Sequence, residues 1–98
     1  MRALPKEWRP MAKFFIALGH EHRQRIMLTF QKGERLTVGQ ISEVSTLSRP
    51  AVSHHLKILR TAGVLEAEKI GKEVYLRVNK EMLEETFANV LGYLRDNA

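Results

Sequence analysis

The sequence predicts a mainly helical fold that carries one small antiparallel β-hairpin. Apolar residues recur at three- and four-residue steps along most of the chain, which is the helical period. Between residues 74 and 78 they alternate instead with polar residues, which is the period of a half-buried strand. Because 98 residues cannot hold two independent cores, residues 1–98 are expected to form a single domain.

Two helices are predicted before residue 32. Trp8, Met11, Phe15 and Leu18 give the first helix one apolar face, and Gly19 ends it. A second helix is predicted over residues 20–31.

A short third helix should begin at Thr37, where Gln40 stands three residues later as in a capping box. Its apolar residues, Ile41 and Val44, are expected to be buried. A turn over residues 45–47 follows.

The fourth helix has clear signals at both ends. Ser48 is a candidate N-cap, Pro50 fits the first turn, and Leu47 with Val52 occupies the positions of a hydrophobic staple. Gly63 should stop the helix. A hairpin turning at residues 70–72 and a last helix from residue 80 complete the chain.

The composition excludes several kinds of protein. Cysteine is absent, which rules out disulfides, thiolate metal sites and thiol nucleophiles. No apolar run is long enough for a membrane span and no signal peptide is visible, so a cytoplasmic protein is expected. The net charge of +5, with acids concentrated in residues 81–98, suits a polyanionic partner such as nucleic acid.

A short helix, a turn and a second helix, followed at once by a hairpin, form a winged helix-turn-helix pattern. The second of these helices should bury Val52, Leu56 and Leu59 and expose the opposite face. No Asp or Glu occurs from residue 45 to residue 63, as expected for a helix that enters the major groove of double-stranded DNA. The candidate DNA-binding residues are Ser48, Arg49, Pro50, Ser53, His54, Lys57 and Arg60 on the helix, and Lys69, Lys72 and Arg77 on the wing.

The segment from Leu47 to Leu65 closely resembles the recognition helix of the ArsR-type winged helix-turn-helix regulators. The string LGHEHR at residues 18–23 and the VYLR of the hairpin are similar to the opening and the wing of that family. The resemblance covers roughly residues 15–79. It implies a homodimeric, sequence-specific transcriptional regulator, usually a repressor that an inducer releases.

The sequence departs from the metal-sensing members that it resembles. Thr37 and Gly39 stand where such members have cysteines, and the last helix has carboxylates but no histidine. His20 and His22 suit local capping or a surface position better than a metal site. We therefore expect no metal site, no cofactor and no control by metal or thiol oxidation.

Three further residues have alternative interpretations from sequence alone. Arg23 and Arg25 could contact phosphate or pair with acids of a partner subunit. His55 lies at the edge of the buried face and suits packing, or a contact on the phosphate side, better than base reading.

The first and last helices each carry a stripe too apolar for solvent, so part of this surface is expected to form a twofold dimer interface. The candidate interface residues are Trp8, Met11, Phe15, Leu83, Phe87, Leu91 and Leu94. The two recognition helices of the dimer should meet successive major-groove faces roughly 34 Å apart, so an imperfectly palindromic operator is expected.

Other functions remain open at this point. The same fold serves in protein-interaction modules and in nonspecific architectural DNA binders. An unknown small molecule or protein could act as effector. Catalysis is not expected, because Ser53 and His54 are adjacent on a helix and point about 100° apart.

Overall fold

The computed structural model describes residues 3–98, and within that range a short 3-10 helix, Lys6–Trp8, leads into five α-helices and three strands. In chain order they are α1 (Arg9–Leu18), α2 (Glu21–Thr29), β1 (Leu36–Thr37), α3 (Val38–Glu43), α4 (Arg49–Thr61), β2 (Leu65–Ile70), β3 (Glu73–Val78) and α5 (Lys80–Asn97). The predicted mainly helical winged helix-turn-helix fold is confirmed.

The sheet has one strand more than the hairpin alone. β2 and β3 pair as the predicted antiparallel hairpin, and Gly71 turns between them with φ +63°. β1 pairs antiparallel with the outer edge of β3, placing Leu36 opposite Leu76. This third strand connects the start of α3 to the wing. It has only two residues, which is too short for a periodic pattern in the sequence.

The core lies between the helices and one face of the sheet. α4 contributes the three predicted residues, Val52, Leu56 and Leu59, each at most 2% exposed. The expectation for Val44 is wrong, because α3 ends at Glu43 and Val44 is 70% exposed in the following turn. The buried apolar core consists of Phe14, Ala17, Ile26, Ile41, Val52, Leu56, Leu59, Val64, Leu65 and Leu76.

Both ends of α4 are formed as the sequence predicts. The Ser48 hydroxyl accepts a hydrogen bond from the backbone N–H of Ala51, at 3.4 Å. At the other end Gly63 takes φ +81°, and the N–H of Val64 donates to the carbonyl of Leu59 at 2.9 Å. This is a Schellman ending, in which only glycine is unstrained, so the direction of the chain into the wing is fixed.

α5 is attached to the rest of the molecule by few buried groups. Asn79 caps its first turn by accepting from the N–H of Met82, and donates to the carbonyl of Gly63. Of the 18 residues of α5, all of them described, Thr86 alone is buried. Such a helix needs further packing to be stable in water.

Candidate nucleic-acid interface

The outward face of α4 is fully available to a ligand. Arg49, Ser53, His54 and Lys57 are all exposed, whereas Val52 of the same helix is buried. Pro50 is exposed in the first turn, and Arg60 in the last. This face therefore presents hydrogen-bonding and cationic groups and no carboxylate, a combination that suits base edges and phosphates.

The wing lies along one flank of α4. Ser53, Lys57 and Arg60 line a groove whose opposite wall is formed by Glu66 and Arg77 of the hairpin. Helix and wing thus form one continuous concave surface. Of the candidate DNA-binding residues, Ser53, Lys57, Arg60 and Arg77 line this groove.

The wing cations differ from one another in their freedom to bind phosphate. Lys69 and Lys72 are exposed near the tip of the hairpin. Arg77, in contrast, already binds the Glu66 carboxylate, with Nη2 at 2.8 Å and Nε at 3.0 Å from Oε2. A phosphate contact by Arg77 would have to share the guanidinium with that carboxylate.

Two carboxylates lie in this groove, both after residue 63, where the acid-free stretch of the sequence ends. Glu66 pairs with Arg77, and Glu68 lies 3.2 Å from Nε of Arg35. The hairpin register places Glu66 directly opposite Arg77. Because the turn at Gly71 sets this register, the ion pair could have been predicted from the sequence. Since both acids are paired with arginines, the groove is not a negatively charged surface.

Arg23 is neither a phosphate ligand nor a partner for acids of another subunit, because it is buried, with 8% of its surface exposed. Its Nε donates to the carbonyl of Ala17 at 2.6 Å, and its Nη2 to that of Ile16 at 3.2 Å. Both carbonyls lie in the last turn of α1, where the carbonyl of Ile16 also accepts from the N–H of Gly19 at 3.3 Å. The side chain therefore joins the end of α1 to α2. Arg25 is exposed and pairs with Glu21 at 3.0 Å, within its own helix.

The four histidines form one cluster, although the sequence suggests two separate pairs. The ring of His55 lies between the others, with centroids 4.9 Å from His20, 5.8 Å from His22 and 5.7 Å from His54. His20 caps α2, since its Nδ1 accepts from the N–H of His22 at 3.2 Å. Burial, followed by the nearby His20 and then Arg23, lowers the pKa of His55.

The donor chemistry does not fit a metal centre of the kind found in metal-sensing regulators. Among residues 3–98 no group of three or more His, Cys, Asp or Glu side chains is arranged to hold a metal ion. The Thr37 hydroxyl is occupied as the cap of α3, accepting from the N–H of Gln40 at 3.1 Å.

The candidate dimer residues divide into two groups. Phe15, Phe87, Leu91 and Leu94 are 41–51% exposed and form an apolar face on α1 and α5, with the rings of Phe15 and Phe87 6.5 Å apart. Trp8, Met11 and Leu83 are half-buried within the chain. Trp8 packs edge-on against Tyr93 with centroids 5.1 Å apart, and Leu83 packs on the core.

A recognition helix flanked by an antiparallel wing defines the winged helix-turn-helix class of DNA-binding proteins. Within that class, the chain belongs to the ArsR family of transcriptional regulators. The family model described as "Bacterial regulatory protein, arsR family" matches residues 20–67. The resemblance seen in the sequence is thus confirmed, and the relatives are regulators rather than enzymes. Among residues 3–98, no helix has the length and apolar character that crossing a membrane requires.

Similar proteins support the assignment over most of the chain. The chain is 32% identical over 84 residues to the transcriptional repressor SdpR of Bacillus subtilis, covering 86% of this chain and 92% of that one. It is 30% identical over 87 residues to a transcriptional repressor SmtB homolog of Synechocystis, covering 89% of this chain and 65% of the relative. Its fold matches an ArsR-like transcriptional regulator from Rhodococcus sp. RHA1 with a TM-score of 0.83 at 24% identity, covering 94% and 88% of the two chains.

Proposed function

We propose that the protein is a homodimeric repressor that binds an imperfectly palindromic DNA operator through α4. The observation that supports this most directly is the outward face of α4, which exposes cations and hydrogen-bonding groups, without a carboxylate, beside a basic hairpin tip. Repression is the activity named for SdpR and for the SmtB homolog.

The residues divide into two roles by their position. Arg49, Ser53, His54 and Lys57 enter the major groove with α4 and contact base edges, so they determine sequence preference. Ser48, Pro50 and Arg60 lie at the two ends of the helix and fix its position against the backbone. On the wing, Lys69 and Lys72 contact phosphates and provide affinity for any sequence, while Arg77 is held beside α4 by Glu66.

Dimer formation through α1 and α5 would explain why the accessible surface of the chain is larger than that of a compact monomer of the same mass. The accessible surface is 7338 Å², against about 5,700 Å² for a compact monomer of this mass. The radius of gyration is 15.1 Å, against about 12.6 Å expected. The excess surface exceeds the roughly 800 Å² that each partner buries in a standard interface. A second copy covering the apolar face of Phe15, Phe87, Leu91 and Leu94 accounts for it.

Regulation by a metal or by thiol oxidation is not part of this proposal. No cysteine is present to oxidise, and Thr37 and Gly39 offer no thiolate. Control is then left to a small organic molecule, a partner protein or the concentration of the repressor itself. Because its ligand is DNA, we place the protein in the cytoplasm.

Selection of bound sequences from random duplex DNA by the purified protein, at a stated salt concentration, tests the function. We expect an enriched motif with two related half-sites whose centres lie about one helical turn, roughly 34 Å, apart or a multiple of it. A flat preference would instead indicate a nonspecific architectural binder, and no retention of DNA would indicate a protein-interaction module.

A further inference from the structure

The histidine cluster lies on the flank of α4 that faces away from the wing. His54 is on the exposed face of α4, His55 is next to it at the boundary with α2, and His20 and His22 extend the row along α2. The wing and this cluster therefore border the recognition helix on opposite sides. A helix in the major groove has a phosphate backbone on each side of it.

Hydrogen bonds determine which ring nitrogens are free to bind a ligand. The Nδ1 of His55 lies 3.3 Å from Nη1 of Arg23, which can only donate, so Nδ1 is the acceptor. The Nδ1 of His20 likewise accepts, from the N–H of His22. In the neutral rings the proton must then be on Nε2 of both residues. Within the described chain the Nε2 of His55 has no partner and is not buried, so it reaches solvent.

These tautomers favour an anion over a metal ion. A metal at Nε2 would need the proton on Nδ1, where it would face the N–H of Arg23 or of His22. An anion, in contrast, accepts from Nε2–H without any rearrangement. His20 and His55 therefore present donors and not lone pairs at Nε2.

The charges around the cluster also favour an anionic ligand. From α2, Arg23 contributes a buried cation, and the carboxylate of Glu21 is paired with Arg25. From α4, His54 contributes an imidazole and Lys57 an ammonium one turn further on. From α1, the carbonyls of Ile16 and Ala17 are already occupied by Arg23.

We propose that His20, His22 and His55 form a phosphate-binding site that holds the DNA backbone on the side of α4 opposite the wing. This inference rests on the proposed function, because it assigns the second backbone contact of the same DNA-binding surface. The ligand is a phosphate oxyanion of the DNA backbone.

The site binds phosphate through neutral N–H donors. A proton on Nδ1 of His55 would face the N–H of Arg23, so protonation of this ring is disfavoured. Burial, followed by the nearby His20 and then Arg23, lowers the pKa of His55 in the same way, so this ring stays neutral near pH 7. The contacts therefore position the DNA backbone by hydrogen bonds.

The test compares wild-type protein with His20→Ala/His22→Ala, which removes two donors and retains His55 and its contact with Arg23. Lys80→Ala, which removes one exposed cation at the start of α5, is the control. Affinity for the selected duplex is measured by fluorescence anisotropy, with circular dichroism to verify folding. We expect the double variant to lose several-fold in affinity. The control should behave as wild type.

Two outcomes would overturn the inference. One is a folded double variant that binds the selected duplex with the affinity of the wild type. The other appears in a parallel NMR titration of the imidazole resonances: if they respond to inorganic phosphate but not to duplex DNA, the site binds free anions and does not face DNA. In both cases the wild type still binds its selected sequence, whereas failure of the proposed function would remove that binding altogether.

Discussion

Arg23 joins α2 to the recognition helix, because its guanidinium Nη1 lies 3.3 Å from Nδ1 of His55. The same side chain satisfies two carbonyls at the end of α1. A single buried cation thus fixes α1, which carries part of the candidate dimer face, relative to α4, which carries the candidate DNA-binding face.

Removing this cation should destabilise the protein. Arg23→Ala leaves the carbonyl of Ala17 without its donor, whereas the carbonyl of Ile16 keeps the N–H of Gly19. One unsatisfied buried group costs about 1–3 kcal/mol, so we expect a loss of that size in the free energy of unfolding, measured by urea denaturation. Arg25→Ala, which removes only an exposed ion pair, should stay within about 0.5 kcal/mol of wild type. Equal effects of the two changes would contradict the role assigned to Arg23.

Acidification should weaken the folded state through His55. Its pKa in the folded protein lies below the ordinary 6.5, because of burial and the nearby His20. Above about pH 6.5 the ring is neutral in both states and stability is unaffected. As the pH falls from there toward the lower folded pKa, the unfolded chain binds the proton first, so stability declines. Urea midpoints measured across this range should show the decline in wild type and less of it in His55→Gln. An identical decline in both proteins would count against the assignment.

The dimer interface can be tested by comparing a charged substitution inside the proposed contact with the same substitution at an exposed leucine outside it. Leu91→Glu places a charge in the proposed contact and should shift the protein toward monomers in light scattering at micromolar concentration. Leu28→Glu is the matched control, because Leu28 is 85% exposed on α2, outside the candidate face. A wild-type protein that is already monomeric at that concentration would rule out the interface.

Transition metals should not release the protein from DNA. Zinc, nickel and copper titrated into the complex are expected to leave operator binding unchanged at stoichiometric amounts, since the tautomers of His20 and His55 present N–H groups outward. The contrary result would be a stoichiometric, sub-micromolar loss of binding that disappears in His20→Ala or His22→Ala.

The local signals in the sequence predicted most of the fold. The Thr37–Gln40 capping box forms with both of its hydrogen bonds, and Ser48 and Gly63 start and end α4. Each of these signals depends on residues within one turn, so the sequence contains them directly. β1 was missed because its pairing with β3 joins segments nearly 40 residues apart.

The parts of the candidate site that could not be predicted depend on tertiary contacts. Nothing around Arg23 in the polar sequence of α2 indicates burial, because its partners are carbonyls of another helix. His20 and His55 are separated by more than 30 residues and meet only when α2 packs on α4. The face of α4, in contrast, follows from the helical period and the position of Val52 alone.

The most direct test of the account is a parallel selection from random duplex DNA with wild type, two α4 variants and two wing variants. We expect Arg49→Ala and His54→Ala each to lose preference at particular bases of the half-site, at a cost of about 1–3 kcal/mol for the preferred sequence. Lys69→Ala and Lys72→Ala should retain the wild-type motif, weaken all sequences alike and reduce the salt dependence. If the wing variants change the motif while the α4 variants keep it, the assignment of base reading to α4 is wrong.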